Sequence, residues 1–197
     1  MKYNLSEITE VIRNRRSVMP EKFSERKVHR EQIELMLNNA IWAPTHGMTQ
    51  PWRFKVFIGD GVEGLRSFLP GLYERTTSIE KFSAAKKERI ALRLQKTSAI
   101  IALCMERDPS GKIAEVEEIE AVACAAQNIM LTATAYGLGT FWSTPKFLNH
   151  PEALAFLGLE DDSRCLGLIY VGYLEGEWPS QHRKPLEYVT SWIDTAQ

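Results

Sequence analysis

Residues 115–136 read EVEEIEAVACAAQNIMLTATAY, and this stretch decides what kind of fold the chain can form. Its first turn is acidic, which suits the positive end of a helix dipole, and the remainder is apolar or small on nearly every face. A helix without a polar face must be surrounded by protein. Because a single domain of 197 residues rarely surrounds so long a helix completely, we expect part of its surface to contact a second copy of the chain.

Short apolar segments on both sides of this helix predict the strands of a sheet. SAIIALCM at 98–105 is a continuous apolar run, typical of a fully buried strand, and WRFKVFI at 52–58 alternates apolar with basic residues. Gly137 is expected to cap the long helix, and GTFWS then begins a strand, as does CLGLIYVGYL at 165–174. Since helices and strands do not alternate strictly, we predict an α+β fold with a central, mainly antiparallel sheet.

The remaining segments predict helices and a surface-running C-terminus. Leu5, Ile8, Val11 and Ile12 repeat at helical spacing, with Ser6 as the expected N-cap. Further helices are predicted at 30–43, ended by Pro44, at 80–97, where the charged sequence indicates a solvent-facing helix, and near 150–157. The last twenty residues are punctuated by proline, so we expect them to run over the surface or across a partner.

Length, charge and cysteine content favour a single cytoplasmic domain, residues 1–197. Lysine and arginine number 24 against 25 acidic residues, so no positive excess indicates a nucleic-acid partner. Cys104, Cys124 and Cys165 are widely spaced in apolar runs, which fits buried thiols in a reducing compartment. With no signal-peptide pattern and no apolar run long enough for a membrane span, we expect a soluble cytoplasmic protein.

Several chemistries have no support in the sequence. The four histidines are scattered without metal-ligand spacing, so no metal site is predicted. There is no phosphate-binding GxxxxGK[ST] loop, and the one GxG, at 137–139, follows a helix where a dinucleotide fingerprint would follow a strand. No GxSxG motif or accessible cysteine suggests a nucleophile. If the chain is an enzyme, a bound group must supply the reactive atoms.

The stretch RNRRSVMPEKF at 13–23 has two interpretations. Cations at the C-terminal end of the first helix could simply complement its dipole. Alternatively, the guanidinium groups and the serine hydroxyl could bind an anion such as a phosphate.

Four segments together resemble the nitroreductase family of FMN-dependent oxidoreductases: RRS at 15–17, NNAIWAPTHGMTQPWRF at 38–54, GLGTFWS at 137–143 and RKPLEYV at 183–189. The match covers nearly the whole chain. The resemblance implies an α+β homodimer with two FMN sites at the subunit interface. It also implies an enzyme that takes hydride from NADH or NADPH through flavin N5 and reduces a nitroaromatic, quinone or similar acceptor by ping-pong kinetics. The alternative is a noncatalytic protein that stores or senses FMN.

The resemblance also implies which residues bind the cofactor, while no side chain is assigned as a catalytic acid or base. Arg15, Arg16, Ser17 and Arg183, with Lys184 beside it, match residues that hold the flavin phosphate and pyrimidine edge. Pro44, Thr45 and His46 match a loop that packs on the flavin from the other subunit. Trp142, Ser143 and Thr144 match a segment whose backbone approaches the ring near N5. Gln50 matches the glutamine of the family's QPW motif and is expected near the site. For Trp142 a purely structural role in the strand remains open, as does a structural role for His46.

Two positions depart from the family pattern. Many members read RRSxRxF, whereas here Met19 stands where the arginine after the RRS motif is expected. The cation near flavin N1 and O2 is therefore missing or displaced to Lys22. Many members also carry an asparagine where this chain has Met48.

Overall fold

A four-stranded antiparallel sheet lies at the centre of the structure, a computed structural model that describes residues 3–160 and 162–195. Its strands are β1 (Trp52–Ile58), β2 (Ala99–Met105), β3 (Leu138–Ser143) and β4 (Arg164–Tyr173), in the order β1-β2-β4-β3. The helices are α1 (Leu5–Asn14), α2 (Arg30–Ala40), α3 (Asp60–Thr76), α4 (Ala84–Gln95), α5 (Glu115–Ala135) and α6 (Pro151–Phe156). The predicted α+β class is confirmed. The ends of the predicted 1–197 domain lie outside the described residues.

Both faces of β2 are buried, which explains why its sequence is apolar at every position. Ile101 and Leu103 belong to a core that α2 and α5 complete on one face of the sheet. Ile100 and Ala102 belong to a second core on the other face, formed with α3, α4 and α6. The sheet is therefore a middle layer between two helical layers, and its alternating side chains are divided between two cores.

A pair of glycines on β3 and β4 makes room for the segment that follows α1. Gly139 and Gly172 are register partners, and a Cβ atom on Gly139 would lie 2.8 Å from the Val18 side chain. A Cβ atom on Gly172 would lie 2.5 Å from the ring of Phe23. The Val18 amide donates to the Thr140 carbonyl at 2.9 Å. The two glycines thus allow residues 17–23 to lie directly on the sheet.

Helix boundaries differ from the predicted ones where side chains compete with the pattern. Asn4, and not the predicted Ser6, caps α1, because the Asn4 side chain accepts from the amides of Ser6 and Glu7. Helix α2 ends at Ala40 instead of reaching residue 43, and α4 begins only after Ser83, whose hydroxyl accepts from Lys86 N.

Two further features were not expected. Helix α3 contains Pro70 and three glycines, which obscured its pattern in the sequence. Cys104 and Cys165 are buried as predicted, but the prediction of a buried thiol is wrong for Cys124, which is exposed on the side of α5 that faces away from the sheet.

Many exposed apolar side chains lie on α1 and in the C-terminal segment. Helix α1 buries none of its residues, and Leu5 is 74% exposed. A groove of about 490 Å³ runs between α1, α2 and α5. Trp192 and Ile193 are 84% and 77% exposed. Exposed apolar surfaces of this extent are typical of contact sites for another protein chain. In the described part of the chain, no helix combines the length and the apolar composition needed to cross a membrane.

Replacing Gly172 with alanine should destabilise the protein, because the new methyl group cannot coexist with the Phe23 ring in its present position. We expect a loss of about 1–3 kcal/mol in the free energy of unfolding, measured by urea denaturation. Gly64→Ala is the matched control, since Gly64 lies inside α3 and its Cβ atom would be 3.9 Å from the nearest neighbouring side chain, Phe156. That variant should be unchanged or slightly more stable. Equal urea midpoints for Gly172→Ala and wild type would contradict the inference that the Phe23 ring needs the space beside Gly172.

Candidate active site

Four arginines line a cavity of about 440 Å³ where the end of α1 contacts the C-terminal segment. We call it the arginine cavity, and it is lined by Ile12, Arg13, Arg15, Arg16, Gln181, His182 and Arg183. The structure therefore brings Arg183 to the RRS motif across more than 160 residues of sequence. Lys184, which the sequence analysis grouped with Arg183, does not line the cavity, and its ammonium lies 5.9 Å from the centre of the Tyr188 ring.

The arginines of RNRRS have different surroundings. Arg13 lies in the last turn of α1, where a cation complements the helix dipole. Arg16 donates to backbone carbonyls, including Pro179 O at 2.8 Å and Arg15 O at 2.9 Å. Arg15 forms no such bond among the hydrogen bonds of the described residues and lines the cavity. The helix-dipole interpretation of the motif therefore applies to Arg13, and the anion-binding interpretation applies to Arg15.

The C-terminal segment is held against α1 by two hydrogen bonds that the sequence did not predict. The Trp178 indole N–H donates to Asn14 O at 2.7 Å, and the Arg16 Nε–H donates to Pro179 O. Both bonds hold residues of the C-terminal segment, Trp178 and Pro179, that come just before Gln181, His182 and Arg183. Arg16 is therefore a positioning residue in this structure, because it fixes the backbone that brings Arg183 beside Arg15.

The electrostatics of the arginine cavity favour an anion. Burial lowers the pKa of Arg15, and the charges of Arg183 and then Arg16 lower it further. No acidic side chain lines the cavity to offset these charges. Guanidinium groups that face one another without a carboxylate are stabilised when a phosphate or carboxylate binds between them, since each can donate charge-assisted hydrogen bonds. The residues present fit the phosphate end of a flavin mononucleotide.

The loop at residues 44–50 lies before β1, and its backbone is strained. Met48 and Gln50 have φ angles of 54° and 47°, values that cost energy for residues with a side chain. The Thr45 hydroxyl accepts from Gln50 N at 3.1 Å, and His46 Nδ1 lies 2.5 Å from Glu117 Oε2 at the start of α5. Pro44, Thr45, His46 and Gln50 are predicted site residues, but their sequence does not predict the left-handed backbone at Met48 and Gln50, for which Gly47 is the one local signal.

Within one chain, the 44–50 loop and the arginine cavity lie at opposite edges of the sheet. The loop leads into β1, whereas Ser17, next to Arg15 and Arg16, pairs with Thr140 on β3. Three strand spacings separate β1 from β3, or about 14 Å at roughly 4.8 Å per strand. None of the loop residues lines the arginine cavity. The two predicted halves of the site are therefore not brought together by a single chain.

The segment Trp142–Ser143–Thr144 ends β3 beside a close approach to β4. The Trp142 indole N–H donates to Leu166 O at 3.2 Å, and its half-buried ring packs against the core formed with α2 and α5. A Cβ atom on Gly167 would lie 2.5 Å from Ser143 O, so only glycine fits there. Trp142 thus has a structural role, while Ser143 lines a small cavity and Thr144 is exposed.

Arg93 is a candidate site residue that the sequence analysis missed. It lines the small cavity with Ser143, and its Nη2 lies 3.7 Å from the sulfur of Met19, the position where a basic residue was expected. Glu21 accepts from Arg93 Nε at 2.8 Å, and the other Glu21 carboxylate oxygen is buried without a hydrogen-bond partner. Lys22, the predicted substitute, is exposed. The spacing of Lys86, Arg89 and Arg93 on one face of α4 was the available signal.

Comparison with known proteins gives one consistent result. Residues 12–173 match the sequence model described as the Nitroreductase family. The Bacillus subtilis protein YfhC, named provisionally as an NAD(P)H nitroreductase, is 26% identical over 92% of this chain and 91% of its own length. A nitroreductase-like protein from Bacillus cereus has a TM-score of 0.82 at 28% identity, with 99% of both chains covered. The FMN-dependent nitroreductase NfnB from Mycobacterium smegmatis, solved with NADPH, shares the fold at 20% identity, with a TM-score of 0.75 and coverage of 95% and 98%.

Inorganic phosphate should stabilise the protein through the arginine cavity. After removal of any bound small molecule, we expect phosphate to raise the melting temperature of the wild type, because an anion relieves the repulsion around Arg15. Arg15→Gln should lose most of this increase, while Arg30→Gln should keep it, since Arg30 lies on the surface of α2 and pairs with Glu34. The same phosphate response in Arg15→Gln and wild type would show that the anion binds elsewhere.

Proposed function

The chain belongs to the nitroreductase family, and from this membership we propose that it is an FMN-dependent oxidoreductase that uses NADH or NADPH to reduce a small electrophilic acceptor. The observation that supports FMN most directly is the arginine cavity, which groups four arginines without a lining acid. The NfnB structure of the same fold, solved with NADPH and described as FMN-dependent, agrees with this proposal. Bound FMN would supply the redox chemistry by accepting a hydride at N5 and passing it to a nitroaromatic, quinone or similar acceptor.

The residues of the chain would bind and orient this group. Arg15 and Arg183 would bind the phosphate, with Ser17 beside them and Arg16 fixing the backbone of the C-terminal segment. Ser143 and Thr144 would lie near the reacting edge of the ring. Arg93 is the candidate for the positive charge that the sequence lacks at Met19, because it contacts that side chain and lines the cavity of Ser143. A cation beside the pyrimidine edge would stabilise negative charge that develops there.

We propose further that the active form is a homodimer with sites built from both chains. The separation of the 44–50 loop from the arginine cavity within one chain supports shared sites. The uncovered apolar surfaces of α1 and the C-terminal segment support an extensive interface. We propose that each chain is one domain and acts in the cytoplasm, in keeping with the free cysteines.

The purified protein should contain FMN, identified by chromatography after heat release. Anaerobic addition of NADPH or NADH should then bleach the visible absorbance of the bound flavin. Arg15→Gln should weaken FMN binding by about 10- to 100-fold, which corresponds to one charge-assisted interaction, and Arg30→Gln should bind normally. FAD, or no flavin after reconstitution, would disprove the cofactor assignment. Bound FMN that neither nucleotide reduces would instead favour a noncatalytic storage or sensor protein.

The kinetics should be ping-pong, so that double-reciprocal plots at several acceptor concentrations are parallel. This pattern is expected if the nucleotide and the acceptor occupy the same position beside the flavin in turn. Intersecting lines would show that both substrates are bound together and would contradict this order.

Mixed dimers test whether each site contains residues from both chains. One chain carries Arg15→Glu and the other Pro44→Glu, and each variant should be inactive as a homodimer. If the sites are shared, both changes fall in one site of the mixed dimer and the other site is intact, so about half of the wild-type activity returns. If each site came from a single chain, every site would carry one change and the mixed dimer would stay inactive.

A further inference from the structure

A second cleft, of about 640 Å³, opens between the end of α3, the start of α4 and the turn before α6. We call it the lysine cleft. It is lined by Tyr73, Thr76, Thr77, Ser78, Lys81, Lys86, Lys146, Phe147, Asn149, His150 and Pro151. The set combines three lysines and four hydroxyl groups, and it includes no carboxylate.

The positive charge of the lysine cleft is not neutralised by neighbouring acids. None of its three lysines takes part in an ion pair among the described residues. Two carboxylates on adjoining helices are already paired, since Glu152 accepts from Arg75 at 2.7 Å and Glu74 from Lys87 at 2.6 Å. Because the whole chain has a formal charge of −1, this concentration of cations is a local feature. Its chemistry suits a ligand with several negative charges.

Aromatic side chains add a second type of contact to the cleft. The rings of Tyr73 and Phe147 lie 5.9 Å apart, and the Lys86 ammonium lies 4.9 Å from the centre of the Tyr73 ring. The Tyr73 hydroxyl accepts from Ser83 N at 3.0 Å, so the ring is fixed in position. Tyr73 is only 2% exposed, so the partly exposed ring of Phe147 is the apolar surface that the cleft offers beside its cations. This combination fits a ligand that carries both a ring system and phosphates.

The lysine cleft adjoins the candidate active site. Lys86 and Phe147 line both this cleft and the small cavity that contains Ser143 and Arg93. Pro145 and Lys146 are consecutive residues, one in each lining. An extended ligand with its reactive end beside Ser143 would therefore have its distal end within reach of the three lysines.

We propose that the lysine cleft binds the phosphorylated adenosine half of NADPH, and that the chain uses NADPH in preference to NADH. This inference rests on the proposed function for the identity of the ligand. NADPH carries a 2′-phosphate that NADH lacks, and ammonium groups on flexible side chains bind phosphates as point charges. The partly exposed ring of Phe147 would contact the adenine.

Calorimetric titration with 2′,5′-ADP tests the cleft without depending on flavin chemistry. We expect binding to the FMN-saturated wild type, and Lys81→Ala and Lys146→Ala should each weaken it by about three- to tenfold, since both side chains are exposed. Lys27→Ala, which removes an exposed lysine that does not line the cleft, should bind normally. 5′-AMP should bind more weakly than 2′,5′-ADP. Equal affinities for the lysine variants and wild type, or for the two nucleotides, would overturn the proposal.

Steady-state kinetics supply the second measurement. Lys81→Ala and Lys146→Ala should raise the KM for NADPH with little change in kcat, and the effect on NADH should be smaller. Higher ionic strength should raise the KM for NADPH in the wild type more than in these variants. A wild type that prefers NADH would overturn the inference. A protein that holds no FMN and oxidises neither nucleotide would contradict the proposed function. Comparing the titration of flavin-free Lys81→Ala with that of the flavin-free wild type would still decide whether the cleft binds the phosphorylated nucleotide.

Discussion

The contact of residues 17–23 with the paired glycines of β3 and β4 determines where the arginines lie. Gly139 and Gly172 have no side chains, and Val18 and Phe23 occupy that space with almost no exposure to solvent. This contact sets the direction of the chain from α1, so that Arg15 emerges at the outer edge of the sheet. The C-terminal segment is then held at the same place through Trp178 and Pro179. The position of the cationic cavity therefore depends on the burial of two apolar side chains, Val18 and Phe23.

The functions that we propose for the arginine cavity and the lysine cleft require different kinds of positive charge. In the arginine cavity, burial and mutual repulsion lower the pKa of Arg15, so the protein tolerates an unfavourable arrangement that an anion can relieve. The lysines of the cleft are exposed and flexible, which suits a ligand that must bind and leave in every cycle. Guanidinium groups suit a phosphate that stays bound, because they are planar and weakly hydrated. Ammonium groups suit a phosphate that binds and leaves, because they are strongly hydrated and lie on flexible side chains.

The fold could be predicted from short patterns, whereas the site could be predicted only in part. The apolar run of β2, the alternation in β1 and the glycine after α5 are local signals, and the structure agrees with them. Helix α3 was missed because Pro70 and its glycines are typical of loops. The different surroundings of Arg15 and Arg16 depend on the Pro179 carbonyl, 163 residues from Arg16, and no local pattern contains that information. Arg93 was missed for the same reason, since its contacts with Met19 and Glu21 are tertiary.

Helix α1 buries no residue within its own chain, yet Arg15 directly follows its last turn. If a second copy of the chain covers the apolar face of α1, dimer formation fixes the position of α1 and with it the phosphate site. The free energy of dimer formation and the free energy of cofactor binding are then coupled. Linkage is reciprocal, so the cofactor would tighten the dimer by the same factor by which dimer formation tightens cofactor binding. Occupancy would then depend on the amount of protein as well as on the amount of flavin, and dilution would empty the sites by separating the chains.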